Sequence, residues 1–331
     1  SLSETMNKSF GELSKKIKYK YKKKRILEIG CNDGVFLKNF KKKDVLGIEP
    51  CSNIAKSSIQ KGLNVLTEYW TYKLSNKIKK KYGKFDIIFS ANTITHIQNL
   101  NEVFKAINNI LNEDGFLIIQ DPSLLELIKN NAYDQFYNEH IYVFSYLSLS
   151  NILKKHNLEI LNLENVKDHG GSIRYYIKKK NNKNRLNQSV INQKRLEIKN
   201  GLDKIATYIK FRKKVENSKI NFLNLLKKIK KNKKTIIGYG ATAKAVTVLN
   251  YCKINTKYID YFFDTTPEKQ NKFMPGVKIP IRKYVKLKKK FVDYVFLGAW
   301  NFKKEIFNKE IKFIKQKGKF VSHVPYPKII P

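Results

Sequence analysis

The sequence is poor in cysteine and has no long apolar run. Its three cysteines, Cys31, Cys51 and Cys252, stand in no CxxC or Cys/His spacing. Neither a disulfide framework nor a zinc site is encoded, and no metal is expected. No apolar stretch approaches the roughly 20 residues that span a bilayer, and the N-terminus lacks the charged-then-apolar order of a signal peptide. We therefore expect a cytoplasmic protein without a membrane partner.

Acidic residues are also scarce, with 27 Asp and Glu against 67 Lys and Arg, a net charge of +40. A charge of this size attracts nucleic acid. Only six of the basic residues are arginines, and the 61 lysines are spread along the chain beside abundant Asn and Ile, as in chains from AT-rich genomes. This distribution favours a solvated lysine surface over a basic groove, so no nucleic-acid partner is expected.

The 331 residues, 42% of them hydrophobic, suffice for two globular domains. Short apolar runs alternate with amphipathic stretches from Arg25 to about Lys180, which predicts a doubly wound α/β sheet. The predicted strands are 25–29, 45–49, 64–67, 85–90 and 115–120, then an antiparallel pair, 159–166 and 172–179, after a helix near 146–156. A second α/β unit has strands at 258–263 and 294–297. The predicted domains are 1–180, a helical linker 181–232, and 233–331.

A glycine loop, Glu28-Ile-Gly30-Cys-Asn32-Asp33-Gly34, follows the first predicted strand and precedes a predicted helix containing Phe36 and Leu37. Glycine allows a ligand to approach the backbone, and a helix N-terminus offers unpaired amides. The acidic residue before the first glycine disfavours a phosphate and favours a cationic or zwitterionic ligand. Glu49 ends the next strand, where a carboxylate can accept two ribose hydroxyls. Glu68 and Asn92 follow later strands at the same edge.

Three proton-handling side chains lie in the segment from Phe136 to His140. Tyr137, Glu139 and His140 supply a phenol, a carboxylate and an imidazole. These are the groups that remove a proton from carbon, although such clusters also occur on ordinary surfaces and in cores. Their interpretation therefore depends on the surrounding pattern.

A second glycine loop, Gly238-Tyr-Gly240-Ala-Thr-Ala243-Lys244, opens the C-terminal α/β unit. It follows a predicted strand and starts a helix that runs through Leu249, and Asp264 ends the next strand. By itself this spacing predicts a dinucleotide-binding domain.

The first half resembles the class I S-adenosylmethionine-dependent methyltransferases in its glycine loop, its acidic second-strand end and its terminal antiparallel pair. The resemblance implies S-adenosylmethionine as cofactor, with the loop residues against its methionine part, Glu49 on the ribose, and Glu68 or its neighbours near the adenine. Enzymes that methylate DNA bases usually carry an Asn/Asp-Pro-Pro-aromatic segment after the fourth strand. Here that segment is Ser90-Ala-Asn92-Thr-Ile-Thr-His96, which disfavours a base methyltransferase.

Four motifs in order resemble the sugar C-methyltransferases that act on nucleotide-linked keto deoxysugars, and this likeness covers nearly the whole chain. They are the Glu28 to Gly34 loop, Tyr137-Asn138-Glu139-His140 with Phe144-Ser145, His169-Gly170-Gly171-Ser172, and Gly238 to Lys244 followed by Leu249-Asn250-Tyr251.

The resemblance implies methylation of the carbon next to a ketone, for polysaccharide or glycoside biosynthesis. It nominates Tyr137, Glu139 and His140 as catalytic. We favour His140 as the base because its unperturbed pKa lies nearest neutrality. Tyr137 would donate to the enolate oxygen, and Glu139 would orient the imidazole or the sugar.

For the second α/β unit, the resemblance implies a Rossmann-like domain that holds the nucleotide-linked sugar instead of a dinucleotide. Gly240, Lys244 and Trp300 are the candidate contacts. His169 would bind substrate or belong to a turn, and His96 is interpreted as structural.

Members of this family usually begin with a cysteine-rich zinc domain and an active-site tyrosine ahead of the Ser-x-Ser-Glu-Thr-Met segment. This sequence starts at that segment with Ser1 in place of Met, and it carries neither. A truncated gene or clone, a zinc domain supplied by another chain, and loss of activity are the open interpretations. Other hypotheses are an O- or N-methyltransferase of small molecules, a non-catalytic binding protein and a nucleic-acid methyltransferase.

Overall fold

A computed structural model describes residues 4–20, 24–166 and 170–330 of the chain. The chain forms two compact units, Ser1–Leu124 with Ile141–Asp203, and Leu125–His140 with Lys204–Pro331. These bounds differ from the predicted domains at two places. Residues 125–140 belong to the second unit, and the predicted linker is divided between the two.

The first unit contains alternating strands and helices. In chain order these are α1 (Glu4–Lys20), β1 (Ile26–Ile29), β2 (Val45–Ile48), α2 (Ser52–Gln60), β3 (Val65–Leu66), α3 (Tyr72–Tyr82), β4 (Phe85–Ala91), α4 (Leu100–Ile110), β5 (Leu111–Pro122), α5 (Leu124–Lys129, which continues into the second unit), α6 (Tyr146–Lys154), β6 (Leu158–Val166), β7 (Ser172–Lys179) and α7 (Gln188–Lys199).

Seven strands of the described residues form one sheet in the order β3-β2-β1-β4-β5-β7-β6. The first five strands in this order are parallel, and β7 is antiparallel to both β5 and β6. Leu117 and Ile119 of β5 join one hydrophobic cluster and Ile118 joins another. Both faces of the sheet are therefore covered, which explains why its strands read as continuous apolar runs.

The second unit has its own sheet. Its further elements are α8 (Ile205–Lys231), β8 (Ile236–Tyr239), α9 (Ala243–Cys252), β9 (Phe262–Asp264), β10 (Ile281–Lys283), β11 (Tyr294–Leu297), α10 (Lys303–Lys309), α11 (Ile311–Lys315), β12 (Lys319–Ser322) and β13 (Lys328–Ile330). Within the described ranges, six strands run in the order β10-β9-β8-β11-β12-β13, parallel except for β13. The predicted class, a doubly wound sheet with a Rossmann-like second domain, is confirmed.

The predicted helix after Gly34 is wrong. A 3₁₀ turn at Leu37–Asn39 and another at Lys42–Asp44 stand there instead. The Asn39 side-chain amide donates to the backbone oxygens of Val35 and Phe36, each at 3.0 Å. These bonds compete with helical hydrogen bonds in a segment that must reach β2 within about ten residues.

Some strand limits also differ. β3 is shorter than the predicted 64–67, and β9 begins at Phe262 because residues 258 and 259 lie in a turn in which both amides donate to the Asn255 oxygen. The helix predicted near 146–156 and the pair 159–166 and 172–179 correspond to α6, β6 and β7.

Candidate functional site

The glycine loop after β1 is held by close packing. Gly30 and Gly34 have positive φ angles of 74° and 76°. A Cβ atom on Gly30 would lie 2.1 Å from the Thr93 Oγ1, and one on Gly34 would lie 2.4 Å from a Leu63 methyl carbon. Both positions therefore require glycine for space as well as for conformation.

The amides of this loop are not free, contrary to the prediction of unpaired amides at a helix N-terminus. The buried Glu49 carboxylate accepts from the Asn32 amide through Oε2 and from the Cys51 amide through Oε1, both at 3.0 Å. The Asp33 amide donates to the Asn32 side chain at 2.8 Å. The loop thus presents carboxylates to a ligand, since its amides are already used.

Three acids surround this loop. Glu28 is buried, and its Oε2 atom has no hydrogen-bond partner among the described residues. The Oδ1 atom of Asp33 is also buried and has no hydrogen-bond partner there. Burial, and then the charges of Asp33 and Glu49, raise the pKa of the Glu28 carboxyl well above its usual value. Such a set favours a cation. It fits the sulfonium and ammonium groups of S-adenosylmethionine, which Glu28 and Asp33 would hold, with Glu49 toward the ribose.

The other two predicted cofactor residues lie after β3 and β4. Glu68 is exposed, with one carboxylate oxygen 3.7 Å from Lys77 Nζ. Asn92 adopts a left-handed conformation, and its amide donates to the Gln120 oxygen at the end of β5.

Asp121, which sequence reasoning missed, stands at the same edge. It is 1% exposed, its Oδ1 lies 3.5 Å from the Thr95 hydroxyl, and its Oδ2 has no hydrogen-bond partner in the structure. Burial raises its pKa well above the usual value. Its sequence signal was a strand-end acid followed by proline, Asp121-Pro122, as in Glu49-Pro50.

In the second unit, Tyr137 and His140 form a hydrogen-bonded pair in the irregular segment that follows α5. The Tyr137 hydroxyl lies 2.6 Å from His140 Nε2, and His140 Nδ1 lies 2.8 Å from the Gln135 carbonyl oxygen. Because a carbonyl only accepts, Nδ1 carries a proton, and in the neutral imidazole Nε2 then accepts from the tyrosine hydroxyl. Burial, and then the charges of Glu139 and Asp134, raise the pKa of Tyr137 to about 12.

A cavity of about 670 Å³ opens beside Tyr137 within the second unit. Tyr137 and Glu139 line it together with the start of α9 and the side chains of Lys269 and Lys272. Lys269 Nζ donates to the Ala241 oxygen at 2.9 Å. This volume falls in the range of small-molecule sites, and the lining combines proton-handling groups with cations.

In the second glycine loop, the Ala241 amide is already bonded to a carboxylate. Gly240 has a φ of 85°, and a Cβ there would lie 2.9 Å from the Ala299 Cβ. The buried Asp264 carboxylate accepts from the amides of Ala241 and Thr266, both at 2.8 Å. A carboxylate that already occupies the loop amide opposes a pyrophosphate at that point.

Of the two residues predicted to contact substrate in this unit, Trp300 is bonded to Asp134 and Lys244 lies beside the Trp300 ring. Asp134 is fully buried, accepts from the Trp300 indole N–H, and has His323 Nε2 at 3.3 Å. Lys244 is 8% exposed, and its Nζ lies 5.5 Å from the Trp300 ring centroid. Asp134 and His323 were missed in the sequence. His323 follows β12, so its position at a strand end was the available signal.

His169 lies outside the described residues. His96 is exposed at a 3₁₀ turn after β4. The described parts of the chain bring no three His, Cys, Asp or Glu side chains together as a metal site. Among the same residues, no helix is both long and apolar enough to cross a membrane.

Comparison with known proteins finds two family models along this chain. A methyltransferase domain matches residues 4–163, and a C-methyltransferase C-terminal domain matches residues 167–325. The C-methyltransferase NovU of Streptomyces niveus is 28% identical over 307 residues, which cover 92% of this chain and 73% of NovU.

Solved structures resemble about half of the chain. An S-adenosylmethionine-dependent methyltransferase from Clostridium acetobutylicum is 18% identical, with a TM-score of 0.41 over 53% of this chain and 92% of its own. The magnesium protoporphyrin IX methyltransferase of Synechocystis, with bound S-adenosylhomocysteine, is 11% identical, with a TM-score of 0.40 over 53% of this chain and 84% of its own.

Proposed function

Because the chain is an S-adenosylmethionine-dependent C-methyltransferase, we propose that it methylates the carbon next to the ketone of a nucleotide-linked deoxysugar. The observation that carries the proposal is the Tyr137 and His140 pair, in which a neutral imidazole already has an accepting Nε2. A carbon acid needs such a base and also a donor for the developing enolate oxygen.

In the proposed mechanism, His140 Nε2 takes the proton from the carbon next to the ketone. Tyr137 donates to Nε2 in the ligand-free protein, and its hydroxyl rotates to the ketone oxygen when substrate binds. This rotation frees the Nε2 lone pair and gives the enolate a hydrogen bond. S-adenosylmethionine, when bound, supplies the methyl group that accepts the carbon's electron pair as the bond to sulfur breaks.

The cavity of the second unit supports a nucleotide-linked substrate. It combines Tyr137 and Glu139 with Lys269 and Lys272, so one ligand could offer a sugar ketone to Tyr137, sugar hydroxyls to Glu139 and a diphosphate to the lysines. Lys269 is already bonded to the Ala241 oxygen, which leaves Lys272 as the more available cation. Glu139 is exposed and would contact the sugar hydroxyls.

Exchange of the substrate proton with solvent tests the base. In D₂O, without the methyl donor, the protein should exchange the hydrogen of the carbon next to the ketone of a nucleotide-linked keto deoxysugar. His140→Ala should lower this exchange and the methylation rate about 10²- to 10⁴-fold, the usual contribution of a general base. His156→Ala, which alters a half-buried histidine of the first unit bonded to Asn101, is the matched control and should keep both rates.

Equal exchange in wild type and His140→Ala would refute the assignment of the base. Methylation without any exchange, with the methyl group on oxygen or nitrogen, would favour the O- or N-methyltransferase hypothesis. Absence of both reactions, with S-adenosylmethionine still bound, would favour a binding protein.

A further inference from the structure

The buried carboxylate of Asp134 joins four separate parts of the second unit. Asp134 lies in the 3₁₀ turn Tyr133–Gln135, and its Oδ2 accepts from Trp300, which follows β11. His323, which follows β12, approaches the same oxygen at 3.3 Å. Lys244 of the first turn of α9 adds a third positive or donating group. We call these four residues the Asp134 cluster.

The charge state of this cluster is set by its members. Burial opposes ionisation of Asp134, but His323, Lys244 and Trp300 outweigh it and lower the carboxyl pKa. Burial lowers the pKa of Lys244 to about 8, against the opposing pull of Asp134. Asp134 is therefore an anion at neutral pH, compensated by groups from distant parts of the chain.

Stability is a poor explanation for this arrangement. Asp134 Oδ1 and Lys244 Nζ have no hydrogen-bond partner in the structure. A buried ion pair whose hydrogen bonds are incomplete rarely repays its desolvation, and well-packed apolar groups of similar volume often serve stability as well or better. What such a group does provide is a fixed position for the backbone that carries it.

The backbone next to Asp134 is bonded to His140, the proposed base. The residue after Asp134 is Gln135, whose carbonyl oxygen accepts the His140 Nδ1 proton at 2.8 Å. The Gln135 amide donates to the Ala132 oxygen, and the His140 amide donates to the Tyr137 oxygen at 2.9 Å. A shift of Asp134 therefore moves the carbonyl that decides which ring nitrogen of His140 carries the proton.

We propose that Asp134 is a positioning residue for methyl transfer: held by Trp300 and His323, it fixes the Gln135 carbonyl so that His140 keeps Nε2 as its accepting nitrogen. The inference rests on the proposed function of Tyr137 and His140. It assigns the second unit a part in proton removal as well as in substrate binding.

The direct test is the tautomer of His140, read from ¹⁵N spectra of the histidine side chains in the full chain without substrate. Wild type should show a protonated Nδ1 and an unprotonated Nε2. Asp134→Asn and Trp300→Phe should produce a mixture of tautomers. Glu310→Gln is the matched control, because Glu310 is another buried carboxylate of this unit, bonded to Tyr239 and Tyr284 and apart from the Asp134 cluster. It should leave the His140 signals unchanged.

Activity provides a second readout. In Asp134→Asn and Trp300→Phe, kcat should fall at least tenfold, because displacements of about 1 Å can cost about 10²-fold in rate. The KM for S-adenosylmethionine should stay within about twofold of the wild-type value. The titratable and charged groups around Tyr137 are Glu139, Asp134 and His140, together with Glu268, Lys269 and Lys272 of the same cavity. Removing the Asp134 charge should move the alkaline limb of the kcat profile to lower pH, since that charge raises the pKa of Tyr137. Trp300→Phe keeps the charge and should not move it.

A folded Asp134→Asn or Trp300→Phe protein with the wild-type tautomer would overturn the inference. If wild type fails to methylate any nucleotide-linked keto sugar, the proposed function fails, and the tautomer measurement still decides the role of Asp134.

Discussion

At the scale of single residues, the chemistry depends on buried groups whose protonation is set by their surroundings. Glu28, Asp121 and Asp134 are all buried acids, yet burial raises the pKa of the first two while neighbouring donors and cations lower that of Asp134. The sequence shows that acids end several strands. It does not show these differences, because they depend on burial and on partners distant in the chain.

Binding of S-adenosylmethionine should release a proton from Glu28. Its raised pKa keeps Glu28 protonated in the ligand-free protein up to that pKa, and a nearby sulfonium or ammonium favours the carboxylate. Affinity should therefore rise with pH up to the raised pKa and then level off. Calorimetry in buffers of different ionisation enthalpy should detect the released proton.

Glu28→Gln should abolish this proton release and weaken binding. Glu113→Gln, which alters an exposed acid paired with Lys84 and Lys179, should leave it intact. Binding enthalpies of wild type that do not depend on the buffer would contradict the role given to Glu28.

For the pair of Tyr137 and His140, the sequence predicts part of the site geometry and leaves the tautomer open. Their proximity was predicted from spacing, but the tautomer follows from the Gln135 carbonyl, a backbone group that a side-chain motif does not reveal. Trp300 and Lys244 were predicted as substrate contacts, and the structure shows Trp300 bonded to Asp134 and Lys244 beside the Trp300 ring. The assignment of the cofactor residues remains a prediction from the resemblance.

At the scale of elements, both units contain the same arrangement, in which a carboxylate at a strand end accepts from a glycine-loop amide and from the amide two residues beyond itself. We call this arrangement a carboxylate latch. Glu49 accepts from the Asn32 amide in the loop after β1 and from the amide two residues beyond itself. Asp264 does the same with Ala241, in the loop after β8, and with Thr266.

The strand limits were mostly predictable, because parallel strands buried on both faces have continuous apolar runs. The replacement of the predicted helix after Gly34 by two 3₁₀ turns was not predictable, because it depends on bonds from the Asn39 side chain to the backbone.

Gly30→Ala should disrupt the first carboxylate latch, which joins Glu49 to the glycine loop after β1. The new methyl group would meet the Thr93 side chain at 2.1 Å in a backbone conformation with φ of 74°, so we expect a loss of roughly 1–3 kcal/mol in stability and a weaker affinity for S-adenosylmethionine. Thermal unfolding with and without the ligand measures both.

Gly11→Ala is the control, since it lies in α1 with no atom within 4 Å of the new methyl group. It should stabilise the protein by about 0.5–1 kcal/mol. Equal effects of the two substitutions would show that the close approach of Thr93 does not matter.

At the scale of the whole molecule, charge is distributed unevenly between inside and outside. Among the described residues, seven acidic side chains are buried, compared with Arg174 and Lys244 of the basic ones. The lysines therefore face solvent while several acids, including Glu28 and Glu49 of those nominated for the cofactor, lie inside. This agrees with the interpretation of the charge as a lysine surface.

The division into two α/β units was predicted from the two glycine loops and their flanking strands. The membership of residues 125–140 in the second unit was not, because it depends on contacts of Asp134 with Trp300 and His323, far along the chain. Local patterns predict strands and loops well, whereas a buried side chain with distant partners leaves little trace in them.

The central claim is that the methyl group goes to carbon. The most direct test is incubation of the protein with a nucleotide-linked keto deoxysugar and S-adenosylmethionine carrying a ¹³C-labelled methyl group, followed by carbon NMR of the sugar. We predict a labelled methyl with a one-bond coupling to the ring carbon next to the ketone, formed by wild type and His156→Ala and nearly lost in His140→Ala. A labelled methoxy or N-methyl signal in its place would contradict the account.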